Sequence, residues 1–170
     1  MKTLLKLFTA AGLLLTVSLV TGKAQDWPQW RGLNRDGKVT GFTSPVKWPE
    51  QLKQEWKVSV GFADATPSLV NNNLYVFTRQ GENEIMQCLD AKTGKQIWQS
   101  AGYPAVIAAG PAASHPGPRS SPAVFDGKIV AVGIGGDIAC FDAVTGKLIW
   151  RNEEYKAAVP QFYTGMSPLV

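Results

Sequence analysis

Few side chains in this 170-residue sequence are spaced for chemistry, and they fall into two groups. In the first, Asp90, Thr93 and Gly94, followed by Trp98, return as Asp142, Thr145 and Gly146, followed by Trp150. A metal ligand or general base has no reason to recur once per unit, whereas a turn does. The carboxylate accepts backbone N–H groups, the threonine adds a hydroxyl bond, and the glycine takes the positive φ that reverses the chain. The second group comprises Arg119, His115 and Tyr163, which sit in long stretches rich in Gly, Pro and aromatic residues, where binding residues are expected. Arg119 either offers a rigid fork of donors to a ligand carboxylate or ties a loop carbonyl. His115, the only histidine, lies between Ser114 and Pro116 and is expected at the surface. Without a second histidine or a carboxylate cluster, no metal site and no catalytic residue can be drawn. There is no phosphate loop and no Ser/His/Asp arrangement, and Gly133-Ile134-Gly135-Gly136 reads as an inter-strand turn.

The elements that position these residues are repeated. The run from Cys88 to Trp98 matches the run from Cys140 to Trp150, 52 residues later, at Cys, Asp, Ala, Thr, Gly, Lys, Ile and Trp. Upstream, Thr66-Pro67-Ser68-Leu69-Val70 corresponds to Ser121-Pro122-Ala123-Val124-Phe125, and Ser167-Pro168-Leu169-Val170 opens a third copy, so the chain is expected to end inside a repeat. In the second unit, strands are expected at 123–125, 128–133, 137–141 and 147–150, parted by turns at Asp126-Gly127, Gly135-Gly136 and 142–146. The first unit follows the same plan. Four-stranded units at this period are the signature of an all-β fold, the β-propeller. Trp98 and Trp150 then lie on outer strands, where each would dock on a neighbouring blade and bury roughly 150–250 Å². Cys88 and Cys140, at equivalent places in adjacent blades, stand a blade spacing apart, beyond the ~7 Å Cα limit for a disulfide, and read as small buried residues.

The formal charge is +4, but Lys2, Lys6 and Lys23 fall in residues 1–24, which read as a secretory signal peptide with cleavage after Ala24. The remainder carries 14 basic and 13 acidic residues, giving no reason to expect nucleic acid as a partner and leaving no transmembrane segment once the signal is removed. The protein is expected to be periplasmic or secreted. The organisation reads as an N-terminal segment at 25–65, blade 1 at 66–100, an inter-blade loop at 101–120, blade 2 at 121–152, a second loop at 153–166, and the start of blade 3 at 167–170. Within the first segment, residues 54–60 carry Trp56 in a setting like those of Trp98 and Trp150. They are expected either to close the ring as the outer strand of the last blade or to pack as an N-terminal strand on blade 1.

The pattern A-x-D-x-x-T-G-x-x-x-W, with Cys88 and Cys140 in place of the alanine, resembles the tryptophan-docking motif of quinoprotein (pyrroloquinoline quinone) dehydrogenase-like propellers. Together with Asp26-Trp27-Pro28-Gln29-Trp30-Arg31-Gly32, Gly117-Pro118-Arg119-Ser120-Ser121-Pro122 and Gly165-Met166-Ser167-Pro168-Leu169-Val170, it resembles the secreted bacterial PQQ-binding-like β-propeller repeat proteins. Some of these are similar to the barrel-assembly scaffold BamB. The resemblance implies an eight-bladed ring when complete, of which this chain would be an N-terminal fragment. It implies two functions. One is a non-catalytic envelope scaffold that binds envelope or secreted proteins or a small ligand. The other is a quinone- and calcium-dependent oxidoreductase acting on an alcohol or sugar, with Arg119 suited to a quinone oxygen. The scaffold is the preferred expectation. No cofactor is identifiable in these residues, and pyrroloquinoline quinone and calcium belong to the second function of a complete protein.

Overall fold

The computed structural model describes residues 25–170, so the signal peptide expected at 1–24 lies outside the described residues. Two antiparallel meanders follow one another. The first runs β1 (Ser68–Val70), β2 (Asn73–Gln80), β3 (Asn83–Asp90) and β4 (Gln96–Gln99), in that order across the sheet. After β5 (Tyr103–Pro104), the second runs β6 (Ala123–Phe125), β7 (Lys128–Val132), β8 (Ile138–Asp142) and β9 (Leu148–Asn152), again in sequence order. These are two propeller blades, each built from hairpins that the turn residues close. Asn71 and Asn72 bend the first hairpin of blade 1 with φ of 49° and 69°, and Asp126 and Gly127 do the same in blade 2 with 46° and 69°.

Strand limits differ from the sequence expectation by one or two residues, and one difference has a physical cause. Strand β4 pairs only with Gln87–Leu89, which leaves the N-terminal backbone of β3 open. Tyr103 and Pro104 therefore pair with Glu84 and Asn83 as a fifth strand, although 101–120 was expected to be loop throughout. Both blades carry a β-bulge at the same repeat position, Cys88/Leu89 and Cys140/Phe141, immediately beside the pairs Cys88↔Trp98 and Cys140↔Trp150. Both cysteines are buried free thiols.

The core fills the space between the blades. Phe77 and Tyr103 of the first sheet reach Phe141 of the second at ring-centroid distances of 6.3 and 6.4 Å, while Ala131 and Ala139 of the second make room. Such ring pairs add about 0.5–1.5 kcal/mol beyond area burial. A polar stitch joins the inner strands, the Ser68 hydroxyl donating to Pro122 O at 2.6 Å. The N-terminal segment straps both inner strands, since Trp27 bridges Leu69 and Pro28 O accepts the Val124 N–H at 2.8 Å.

At the opposite edge, tryptophan meets glycine. Trp98 of blade 1 covers Gly146 of blade 2 so closely that a Cβ there would lie 2.7 Å from the indole Cζ3. Trp56 covers Gly94 in the same manner, and its Nε1 donates to Ala91 O at 3.1 Å. Residues 54–60 form no strand among the described residues, but Trp56 stands to blade 1 as Trp98 stands to blade 2. No helix among the described residues is long and apolar enough to cross a membrane.

Candidate functional site

Three groups of polar side chains bear on function. The recurring aspartates come first. Asp90 Oδ1 accepts the Lys92 and Thr93 N–H groups at 3.0 and 2.8 Å and the Thr93 hydroxyl at 2.8 Å. Asp142 Oδ1 accepts from Val144 N, Thr145 N and Thr145 Oγ1 at 3.1, 2.7 and 2.7 Å. Gly94 and Gly146 follow with φ of 70° and 72°. The threonine hydroxyl bond, ahead of the backbone bonds, holds both carboxyls below the usual aspartate range. Asp142 is occupied within its own turn, and Asp90 is occupied there and by Asn72 Nδ2, which donates to Asp90 Oδ2 at 2.8 Å; Trp98 and Trp150 are left as the projecting members of the two runs. Trp98 is half-buried on Gly146, whereas Trp150 is 46% exposed.

The second group lies where the two inter-blade loops meet. Here Arg119, His115 and Tyr163, far apart in the chain, come together. The Arg119 guanidinium donates to Phe162 O in one loop and, at 3.0 Å, to His115 O in the other. Tyr163 binds across the same seam: its hydroxyl accepts the Ala109 N–H at 2.9 Å and donates to Ile107 O at 3.2 Å. His115 Nδ1 sits 3.1 Å from both oxygens of Asp64, an exposed pair beside a cleft of about 150 Å³ lined by Gly61–Asp64 and Ser114–Gly117. The far face of blade 2 carries a wider apolar groove of about 960 Å³, with Val130, Val132, Ile138, Tyr155, Met166 and Leu169 in its wall.

The third group is a buried ionic cluster that the sequence reading did not find. Glu84 of β3 and Asp137, just before β8, are sealed between the blades with relative exposures of 0% and 1%. Arg151 of β9 pairs with Asp137 through Nε at 3.0 Å and lies over the Tyr103 ring, 3.9 Å from its centroid. Glu84 Oε1 accepts the Ile134 N–H at 2.7 Å, while Oε2 is buried with no partner. Burial, followed by the Asp137 charge, pushes the Glu84 carboxyl up to about 7. The Tyr103 hydroxyl is raised above the ordinary phenol range by burial and then by both carboxylates. No repeat marks these residues; the one available signal is an acidic side chain within a strand that is otherwise buried.

Two four-stranded meanders packed on a shared core, with Trp98 of the first on Gly146 of the second, define adjacent blades of a β-propeller. The chain belongs to the family described as outer membrane protein assembly factor BamB, whose model matches residues 81–167. Among curated relatives, the outer membrane protein assembly factor BamB of Burkholderia pseudomallei (strain K96243) is 25% identical over 122 residues, which is 68% of this chain and 26% of that protein. The chain therefore spans about a quarter of the length of the curated relative it matches. Of solved structures, BamB from Moraxella catarrhalis aligns at 22% identity and a TM-score of 0.42, covering 58% of this chain and 26% of the other. Quinohemoprotein alcohol dehydrogenase from Comamonas testosteroni aligns at 24% identity and a TM-score of 0.39, covering 57% and 14%.

Among the described residues, no three His, Cys, Asp or Glu side chains are placed to hold a metal ion. The paired carboxylates that are buried lie beside the guanidinium of Arg151. The described residues thus do not furnish a calcium ligand set.

Proposed function

We propose that these blades form part of a non-catalytic propeller scaffold of the cell envelope, periplasmic or secreted, that binds other envelope proteins through its inter-blade loops. One observation carries the reading. Arg119 and Tyr163 join the two long loops into a single surface, and Arg119 donates to His115 O and Phe162 O. A surface fixed in advance loses little entropy on binding, which suits a docking platform. Membership in a family described as an outer membrane protein assembly factor points the same way and supports envelope proteins as the partners.

The test uses the full-length protein with a photo-crosslinking amino acid in place of Phe162, which is 63% exposed. Adducts to outer-membrane or other envelope proteins are expected, with a matched label at exposed Lys53 giving few. Stoichiometric binding of pyrroloquinoline quinone with calcium by calorimetry, together with dye reduction by an alcohol or aldose, would replace the scaffold with the oxidoreductase.

A further inference from the structure

We propose that Glu84 and Asp137 share one proton across the junction between the two blades, and that losing it loosens the junction, making this joint a pH-sensitive element of the propeller. The geometry comes from Gly133. With no Cβ there, both carboxylates crowd the same side of its Cα; a Cβ would collide with Glu84 Oε2 and Asp137 Oδ1 and lie 2.9 Å from Asp137 Cγ. The outer oxygens are occupied, Glu84 Oε1 by the Ile134 N–H at 2.7 Å and Asp137 Oδ2 by Arg151 Nε at 3.0 Å. The inner oxygens, Oε2 and Oδ1, are left facing the same space. As two carboxylates they would be two acceptors and two like charges, with only the neutral Tyr103 hydroxyl, itself without a hydrogen-bond partner, as a donor beside them. A single proton on Glu84 Oε2, donated to Asp137 Oδ1, satisfies both.

The surrounding groups decide where the proton resides. Asp137 holds the direct ion pair with Arg151. Glu84 has only a backbone N–H. From β2, Arg79 faces it, but the Arg79 guanidinium donates to Gly81 O, Val106 O and Pro116 O. From β5, the Tyr103 hydroxyl stays neutral, and from β9, Arg151 is shared with Asp137 and Glu153. Burial and the Asp137 charge raise the Glu84 carboxyl to about 7, against the opposing pull of Ile134 N–H, Arg151 and Arg79. The folded junction thus keeps a proton that the open one releases to solvent above the ordinary glutamate pKa. The stabilisation is fully present below about pH 4.5 and is lost as the pH rises through about 7.

Hydrogen exchange on the full-length protein tests this, read at the Ile134 amide and corrected for intrinsic rates, in the wild type and Glu84→Gln. Glutamine reproduces the protonated acid, accepting from Ile134 and donating to Asp137. Wild-type protection at Ile134 should fall about thirtyfold more than that of the variant between pH 5.5 and 8.5. Equal pH dependence in the two proteins, or a variant less protected at pH 5.5, overturns the proposal. If Glu84→Gln does not fold, carbon-13 titration of wild-type glutamate carboxyls decides: one titrating near 7 supports it, and all titrating below about 5.5 overturns it.

Discussion

Asp142 and Glu84 sit in adjoining blades, one at the rim and one in the seam, and the forces on their carboxyl groups are opposite. Asp142 lies on an exposed turn and accepts three short-range bonds that favour its charge. Glu84 is fully buried with one oxygen orphaned, and burial and the Asp137 charge outweigh its single bond from the Ile134 N–H and disfavour its charge. The repeat accounts for the first and not the second. The 52-residue offset that equates Asp90 with Asp142 puts Gly136 where blade 1 has Glu84, and Ile85 where blade 2 has Asp137. The rim of each blade is thus a copied device, while the seam between this pair of blades is specific to it. A propeller can reuse one turn for every blade, but a polar seam joining two particular faces also fixes which blades adjoin.

The sharpest way to break this contrast is to remove a partner from the seam. Arg151→Met removes the guanidinium partner of Asp137, which is 1% exposed beside Glu84. Loss of one member of a buried pair costs about 3–5 kcal/mol, to be read from urea unfolding of the full-length protein. Lys53→Met breaks the exposed pair with Glu55, whose side chains are 83% and 67% exposed, and should cost less than about 1 kcal/mol. Equal effects of the two substitutions would show that Arg151 contributes no more than a surface charge.

Rim positions differ among themselves, and two glycines separate backbone strain from docking. Gly127 and Gly146 have nearly the same φ, 69° and 72°. A Cβ at Gly127 meets nothing within 4 Å, whereas one at Gly146 enters the Trp98 ring. Gly127→Ala should cost only the left-handed conformation, about 1 kcal/mol. Gly146→Ala adds overpacking of about 1–3 kcal/mol and should also blue- or red-shift Trp98 fluorescence, which Gly127→Ala leaves unchanged. Matching losses at the two sites would mean that Trp98 yields freely and holds nothing in place.

How much of this was legible in the sequence follows the same division. The all-β meander could be read because each hairpin is closed by local turn residues, and the bonds that Asp90 Oδ1 and Asp142 Oδ1 accept span no more than three positions. The fifth strand was not legible, since Tyr103–Pro104 pairs with Asn83–Glu84 only because β4 stops short. Arg119, His115 and Tyr163 could be singled out one by one as loop residues. Nothing in their spacing showed that Arg119 binds the carbonyls of His115 and Phe162, a contact made by two loops packing. The Glu84–Asp137–Arg151 cluster left even less trace. Its members come from three strands or turns with no motif, and its chemistry arises from burial, which a single sequence does not report.

The smallest expected effect distinguishes the two carboxylates by the sign of their pH dependence. Asp142 has its folded pKa lowered, first by the Thr145 hydroxyl and then by backbone bonds from Thr145 and Val144. Its contribution is therefore present above the ordinary aspartate pKa of about 4 and is lost as the pH falls through the folded value. Asp142→Asn keeps a side-chain oxygen for the same turn bonds but removes the charge. The variant should be slightly less stable than wild type at neutral pH, and the two should converge as the pH drops below about 4. Glu84, with its pKa raised, acts on the alkaline side instead, losing its contribution as the pH rises through about 7. Thermal midpoints of the full-length wild type and Asp142→Asn across the acid range read the first slope. A gap that stays constant with pH would assign the effect to the geometry of the turn alone, and rim and seam would then differ in burial but not in the way they use charge.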